Sequence, residues 1–136
     1  MLQGVRGATT VEKNDAAQIA DRTRELLRLL VEANGIKSED LASAIFTVTA
    51  DLDAAFPTVA ARAIGGWDQI ALICSREIPV PGSLGRCIRV LLHWNTERGQ
   101  GEVRHVFLRG ARGLRPEWSV RVPGDEESAP RPLGAT

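Results

Sequence analysis

The stretch between Asp15 and Gly35 constrains the fold of this chain most. Ile19, Thr23, Leu26, Leu27 and Leu30 recur at helical spacing and make one stripe, while Asp21, Arg22, Arg24, Glu25 and Arg28 fall largely on the other side. Such a helix is held mainly by burying its apolar face, so the rest of the chain must supply a surface for it. Asp15 is a good N-cap with Gln18 three residues on, a capping-box pattern. Asn34-Gly35 supplies a left-handed stop.

The flanking segments read mostly as strands. Leu2 to Val11 is one, and the glycines on both sides of Arg6 signal a bulge or a close backbone approach. Ser38-Glu39-Asp40 starts a short helical turn, and Ala44 to Thr49 is a strand rich in β-branched residues. Phe56-Pro57 opens a second short helix, with Pro57 at its first position, that runs to about Ile64 and stops at Gly65-Gly66. Gln69 to Ser75 is a short apolar strand, and Pro79, Pro81 and Gly82 force a turn after Glu77. Arg86 to Trp94 is strongly apolar with poor alternation, which predicts a strand buried on both faces. Thr96 to Gly101 is a hairpin-like loop and Val103 to Leu108 the last strand. One long helix, short helical turns and about five strands in a mixed sheet predict an α+β domain over residues 1–119. Beyond it the chain turns to Pro, Gly, Glu and Ser, so 120–136 is expected to be a flexible tail.

The 136 residues suffice for one domain with one core, and the formal net charge of +0 gives no basic surplus for nucleic acid or an acidic membrane. No apolar run approaches a membrane span and the N-terminus lacks a signal-peptide pattern, so a reduced, cytoplasmic protein is expected. Cys74 and Cys87 are too far apart for a Cys-x-x-Cys motif, and His93 and His105 bear no zinc-like spacing to them. Neither a metal nor a cofactor is expected. No phosphate loop or nucleophile elbow occurs, and each cysteine sits in an apolar strand, where an inert buried thiol is the ordinary state.

The arginines carry more information. Of the 17 basic residues only Lys13 and Lys37 are lysines. A GC-rich genome is one explanation; the other is a need for planar, permanently charged forks that match carboxylates. Position discriminates. Arg6, Arg89 and Arg115 sit beside apolar or glycine neighbours, and Glu77 directly precedes an apolar, proline-rich turn. Charges in such places are generally paired. One reading is an internal salt bridge between Arg89 and Glu77. The other is a pocket with several guanidinium groups and one carboxylate, suited to a small dianion carrying a hydroxyl.

Gly4-Val5-Arg6-Gly7-Ala8-Thr9-Thr10-Val11-Glu12 resembles the opening of the AroH-type chorismate mutases. Similar blocks follow in that family's order: Phe56-Pro57, Ala61-Arg62, Gly66-Trp67, Cys74 with Glu77, Cys87-Ile88-Arg89-Val90, Arg104-His105-Val106 and Leu114-Arg115-Pro116. The resemblance covers about residues 1–119 and is carried by the ordered set. It implies a homotrimer, a pseudo-α/β-barrel whose sheets surround a central core with helices outside and whose active sites lie at subunit interfaces. It implies conversion of chorismate to prephenate for phenylalanine and tyrosine biosynthesis, without a cofactor.

Carried over by motif, the resemblance implies that Arg89 donates to the ether oxygen of chorismate and a nearby carboxylate. Arg6 holds a carboxylate, and Glu77 accepts from the ring hydroxyl with Cys74 beside it. Arg62 and Arg115 add positive charge at the mouth, where the segment around Arg115 closes over substrate, and Phe56 and Leu114 are apolar walls. Two positions depart from the pattern. Phe107 stands where better-known members have a tyrosine, keeping the ring and losing a hydroxyl that reaches a carboxylate. Ile73 stands where some members have a threonine. Two rival readings remain beside the enzyme: a non-catalytic trimeric metabolite-binding module, and an imine deaminase-like trimer that also uses an arginine for a carboxylate.

Overall fold

A computed structural model describes residues 1–124. The helix α1 spans Ala16–Asn34. The Asp15 carboxylate accepts from the Gln18 N–H at 3.0 Å, and the Gln18 side chain in turn accepts from the amides of Glu12 and Lys13. Both ends of the capping pattern are used, though Gln18 reaches the residues before the cap. Gly35 takes the left-handed conformation, φ 68°, and its N–H closes on the Val31 carbonyl. Asn34 does something else: it is buried, donates to the carbonyls of Leu30 and Arg104 and accepts from the Arg104 N–H. Ile19, Thr23, Leu26, Leu27 and Leu30 are all fully buried, as the periodicity predicts.

They lie on one mixed sheet. Its strands are β1 (Leu2–Thr10), β2 (Leu41–Val48), β3 (Ala71–Arg76), β4 (Cys87–Asn95), β5 (Val106–Leu108) and β6 (Ser119–Val120), in the order β3-β2-β4-β1-β5-β6. β4 runs antiparallel to β1 and β2; the pairs β2–β3, β1–β5 and β5–β6 are parallel. A short helix α2 (Pro57–Arg62) packs on α1 and β3. The fold is α+β, with six strands among the described residues where about five are expected.

Three differences from the sequence expectation have physical causes. β5 begins at Val106 and not at Val103, because a 3-10 turn occupies Gln100–Glu102 and Asn34 takes up both polar groups of the Arg104 backbone. The sixth strand lies where a flexible tail is expected: Ser119 and Val120 pair with Phe107 and Leu108, and Val122 is buried in the core. The rest of that tail, 125–136, lies outside the described residues. Lastly, beyond Cys87, which is buried, β4 is fully buried on one face only within a single chain. Ile88, Val90, Leu92 and Trp94 point into the core under α1, whereas Arg89, Leu91 and His93 are half-exposed on the opposite face.

The glycines around Arg6 are not alike. A Cβ on Gly7 would lie 2.7 Å from Leu30 Cδ1, 3.1 Å from Leu26 Cδ1 and 3.2 Å from Val90 Cγ1. The missing side chain is what lets α1 rest directly on β1. Gly4 has only an ordinary contact with Leu91, so the close approach belongs to Gly7 alone.

Candidate active site

The face of the sheet away from α1 carries the charged groups. Side chains opposite one another on neighbouring strands share a face, so the register row Ala8, Arg89, Thr47, Ser75 sets an arginine and a threonine side by side. Glu77 follows two residues after Ser75, and its N–H bonds the Val48 carbonyl, which continues the strand's direction past β3. Its carboxylate accepts from the Thr47 hydroxyl at 2.5 Å and lies 3.4 Å from Arg89 Nε. The first reading of that pair is met: Arg89 and Glu77 are ion-paired, and both side chains are partly exposed on this face. The pair is incomplete as a hydrogen bond. Arg89 Nε is buried and, among the described residues, finds no acceptor at bonding geometry.

Arg6 stands on the same face two strands from Thr47, with Leu91 as its register partner. Burial lowers its pKa from the ordinary arginine value; the Arg89 and Arg115 charges add to the lowering and Glu77 opposes it. Three guanidinium groups and one carboxylate therefore act on one another, a cluster that favours an added anion. Beneath Arg6 lie aromatic rings. Its Cζ is 5.5 Å from the Phe107 ring centroid and 6.0 Å from that of Trp118. Its backbone N–H donates to His105 Nδ1 at 2.9 Å, which fixes His105 as the tautomer with the proton on Nε2.

His105 is held neutral by the same surroundings: burial first, then Arg6 and Arg115, lower its pKa from 6.5. Unfolding frees it to take a proton at a higher pH than the folded chain does. Its contribution to stability is thus complete above pH 6.5 and lost as pH falls through the depressed folded value. The expected result is a His105 ring-proton NMR titration with its midpoint below 6.5 and a melting temperature that declines over the same interval. A midpoint at or above 6.5 would contradict this.

Not every residue expected at the site meets this group within one chain. Leu114 ends the 3-10 segment Arg109–Leu114 and adjoins Arg115. Arg62 is in the last turn of α2, in the helix layer, and is not among the charges acting on Arg6. Phe56 precedes α2 and is 68% exposed. Cys74 has its thiol on the helix side, packed against the core next to its register partner Phe46, so it does not face Glu77. The thiol next to Arg89 is that of Cys87, and burial pushes it up to about 11 despite the guanidinium. Burial raises Cys74 as well. Both thiols are the inert kind.

The comparisons with known proteins agree on one family. The sequence pattern of the family described as chorismate mutase type I matches residues 2–118. The chain belongs to the type I chorismate mutase family. The chorismate mutase AroH of Thermus thermophilus is 56% identical over 118 residues, 86% of this chain and 96% of that protein. That of Bacillus subtilis (strain 168) is 39% identical over 120 residues, 88% and 94% of the two chains. Among solved structures, the chorismate mutase from Clostridium thermocellum superposes with a TM-score of 0.80 at 51% identity, over 82% of this chain and 99% of that one. The type I chorismate mutase match takes in Arg6, Glu77, Arg89 and Arg115 together with Thr47, His105 and Trp118, to which sequence reasoning assigns no role at the site.

Proposed function

We propose that this chain rearranges chorismate to prephenate at the Arg6–Glu77–Arg89 face. The observation that carries the assignment of roles is the buried Nε–H of Arg89, which lacks an acceptor among the described residues although it stands beside a carboxylate. The reaction is a one-step intramolecular rearrangement that needs neither a nucleophile nor a proton-transfer residue. The protein must hold the side chain over the ring in a reactive conformer. It must also stabilise negative charge on the ether oxygen as the C–O bond stretches. Arg89 is assigned that oxygen and a nearby carboxylate, Arg6 a carboxylate, and Glu77 the ring hydroxyl. The Thr47 hydroxyl already spent on Glu77 keeps the carboxylate oriented.

The active unit in this reading is a homotrimer in the cytoplasm. The open face supports it: Leu91, Ile45 and Ile73 form one register row on that face, with Ile45 38% and Ile73 62% exposed. A neighbouring copy covers this apolar row and brings Phe56 and Arg62 to the pocket that one chain leaves without them. Arg115 and Leu114 close the mouth from the same chain as Arg6. Sedimentation equilibrium at the trimer mass is the expected result; a monomer with full activity would contradict the shared site.

Proton NMR of chorismate incubated with the purified protein tests the reaction. Prephenate is expected as the sole product. Chorismate that binds and stays unchanged would make the chain a binding module, and turnover of imino acids in its place would make it a deaminase. The Glu77 role has its own test. Glu77→Ala is expected to lower kcat/KM by about 1.5–3 kcal/mol, the usual worth of a hydrogen bond to a charged group. Glu77→Gln, which still presents a carbonyl oxygen, is expected to retain most activity. Equal losses in the two variants would count against the hydrogen-bond role.

A further inference from the structure

Arg115, Pro116, Glu117 and Trp118 make one 3-10 turn, closed by the Trp118 N–H on the Arg115 carbonyl at 2.9 Å. Residues three apart eclipse in such a turn, so Arg115 and Trp118 share one edge. The contact is close: Arg115 Cζ is 3.7 Å from the Trp118 ring centroid. Arg115 Nε also donates to the Glu117 carboxylate at 2.7 Å. The indole is itself fixed. It lies tilted against His105, ring centroids 3.9 Å apart, meets Phe107 at 5.6 Å and packs against the cluster of Ala8, Leu84, Cys87, Phe107 and Ala111. β6 begins at the next residue and ties the turn to the sheet.

One ring therefore joins two of the three guanidinium groups, since Trp118 lies 6.0 Å from Arg6 Cζ and His105 accepts the Arg6 N–H. Like charges at that range repel, and Arg115 does lower the Arg6 pKa. A ring face that attracts both offsets the repulsion and gives the long Arg115 side chain one preferred place. Glu117 is 56% exposed at its side chain, and its ion pair is open to competition.

We propose that Trp118 is a positioning residue that holds the Arg115 guanidinium ready beside Arg6, with Glu117 as a temporary counter-ion that a substrate carboxylate displaces. The inference rests on Arg115 binding substrate, as in the proposed function. Substrate affinity, and not the rearrangement step, is what the Trp118 ring supplies.

A double-mutant cycle in the chorismate assay tests it. Trp118→Leu is expected to raise KM about 2- to 30-fold, the range a cation–π contact spans from exposed to desolvated, with kcat nearly unchanged. Trp118→Phe, which keeps a ring face, is expected to restore most of that loss. In an Arg115→Ala background Trp118→Leu is expected to add almost nothing, because the partner it positions is gone. Glu117→Gln removes only the competing charge and is expected to lower KM by about 2- to 5-fold, as for an exposed ion pair. Equal KM effects of Trp118→Leu with and without Arg115, or a KM in Glu117→Gln no lower than in the wild type, would overturn the inference while leaving chorismate turnover intact. Absence of turnover in the wild-type protein would overturn the proposed function first and this inference with it.

Discussion

Replacing Arg89 by alanine is expected to lower turnover about a hundred- to a thousand-fold, or 3–4 kcal/mol, the worth of one donor aimed at a developing oxyanion. In the proposed role the loss falls on kcat, because a hydrogen bond from Arg89 to the ether oxygen strengthens only as the substrate's C–O bond breaks. The fold is expected to survive. Arg89 sits on β4, paired on both sides by β1 and β2, and its side chain is on the open face and not in the core. Glu77 keeps the Thr47 hydroxyl as a donor when the guanidinium is gone. Unchanged circular dichroism and an unchanged oligomer mass would accompany the loss. Near-normal turnover would remove Arg89 from the mechanism. Arg89→Lys is expected to recover only part of the rate, because a flexible point charge replaces a planar fork with fixed donor directions.

Gly7→Val is expected to lower stability by about 1–3 kcal/mol, the usual cost of overpacking a filled core. The first new atom would already stand 2.7 Å from Leu30 Cδ1, and two more neighbours, Leu26 and Val90, close the remaining directions. Leu26 and Leu30 belong to the buried stripe of α1, so room must come from turning their packed side chains, lifting the helix off β1 or shifting the strand. A shift of the strand carries Arg6 with it, and a loss of kcat/KM larger than the stability loss explains is expected at temperatures where the variant stays folded. Gly4→Ala, at 3.4 Å from a single leucine methyl, is the control and is expected to be nearly neutral. Denaturant titration of the three proteins checks this; equal midpoints for wild type and Gly7→Val would show that α1 does not need the glycine.

The difference between what was legible and what was not follows from the range of the forces involved. α1 was legible end to end because its period, its Asp15 cap and its Gly35 stop are all local. β6 was not, since two residues carry no period and their pairing with β5 depends on a contact across the turn at Pro116–Trp118. Arg6, Glu77 and Arg89 could be picked out because a charge interrupting an apolar strand demands a partner. Thr47 carries the same hydrogen-bonding burden, yet a threonine in a strand looks like ordinary β-branched filling. Cys74 and Cys87 show the limit most plainly. Which face a strand residue occupies depends on the parity of its register, and only pairing with Phe46 places Cys74 on the core side while Cys87 shares the face of Arg89. The turn carrying Arg115 and Trp118 hid its meaning for a related reason: the indole matters through His105, just before β5, and Phe107 within it, both far in sequence from Arg6 on β1.

The most direct test of the central claim is the rate of chorismate loss with the purified full-length protein, followed by absorbance with a metal chelator present and nothing else added. The account predicts loss proportional to protein concentration, unaffected by the chelator, with prephenate accumulating in equal amount. Chorismate that persists in the presence of folded, trimeric protein would contradict it.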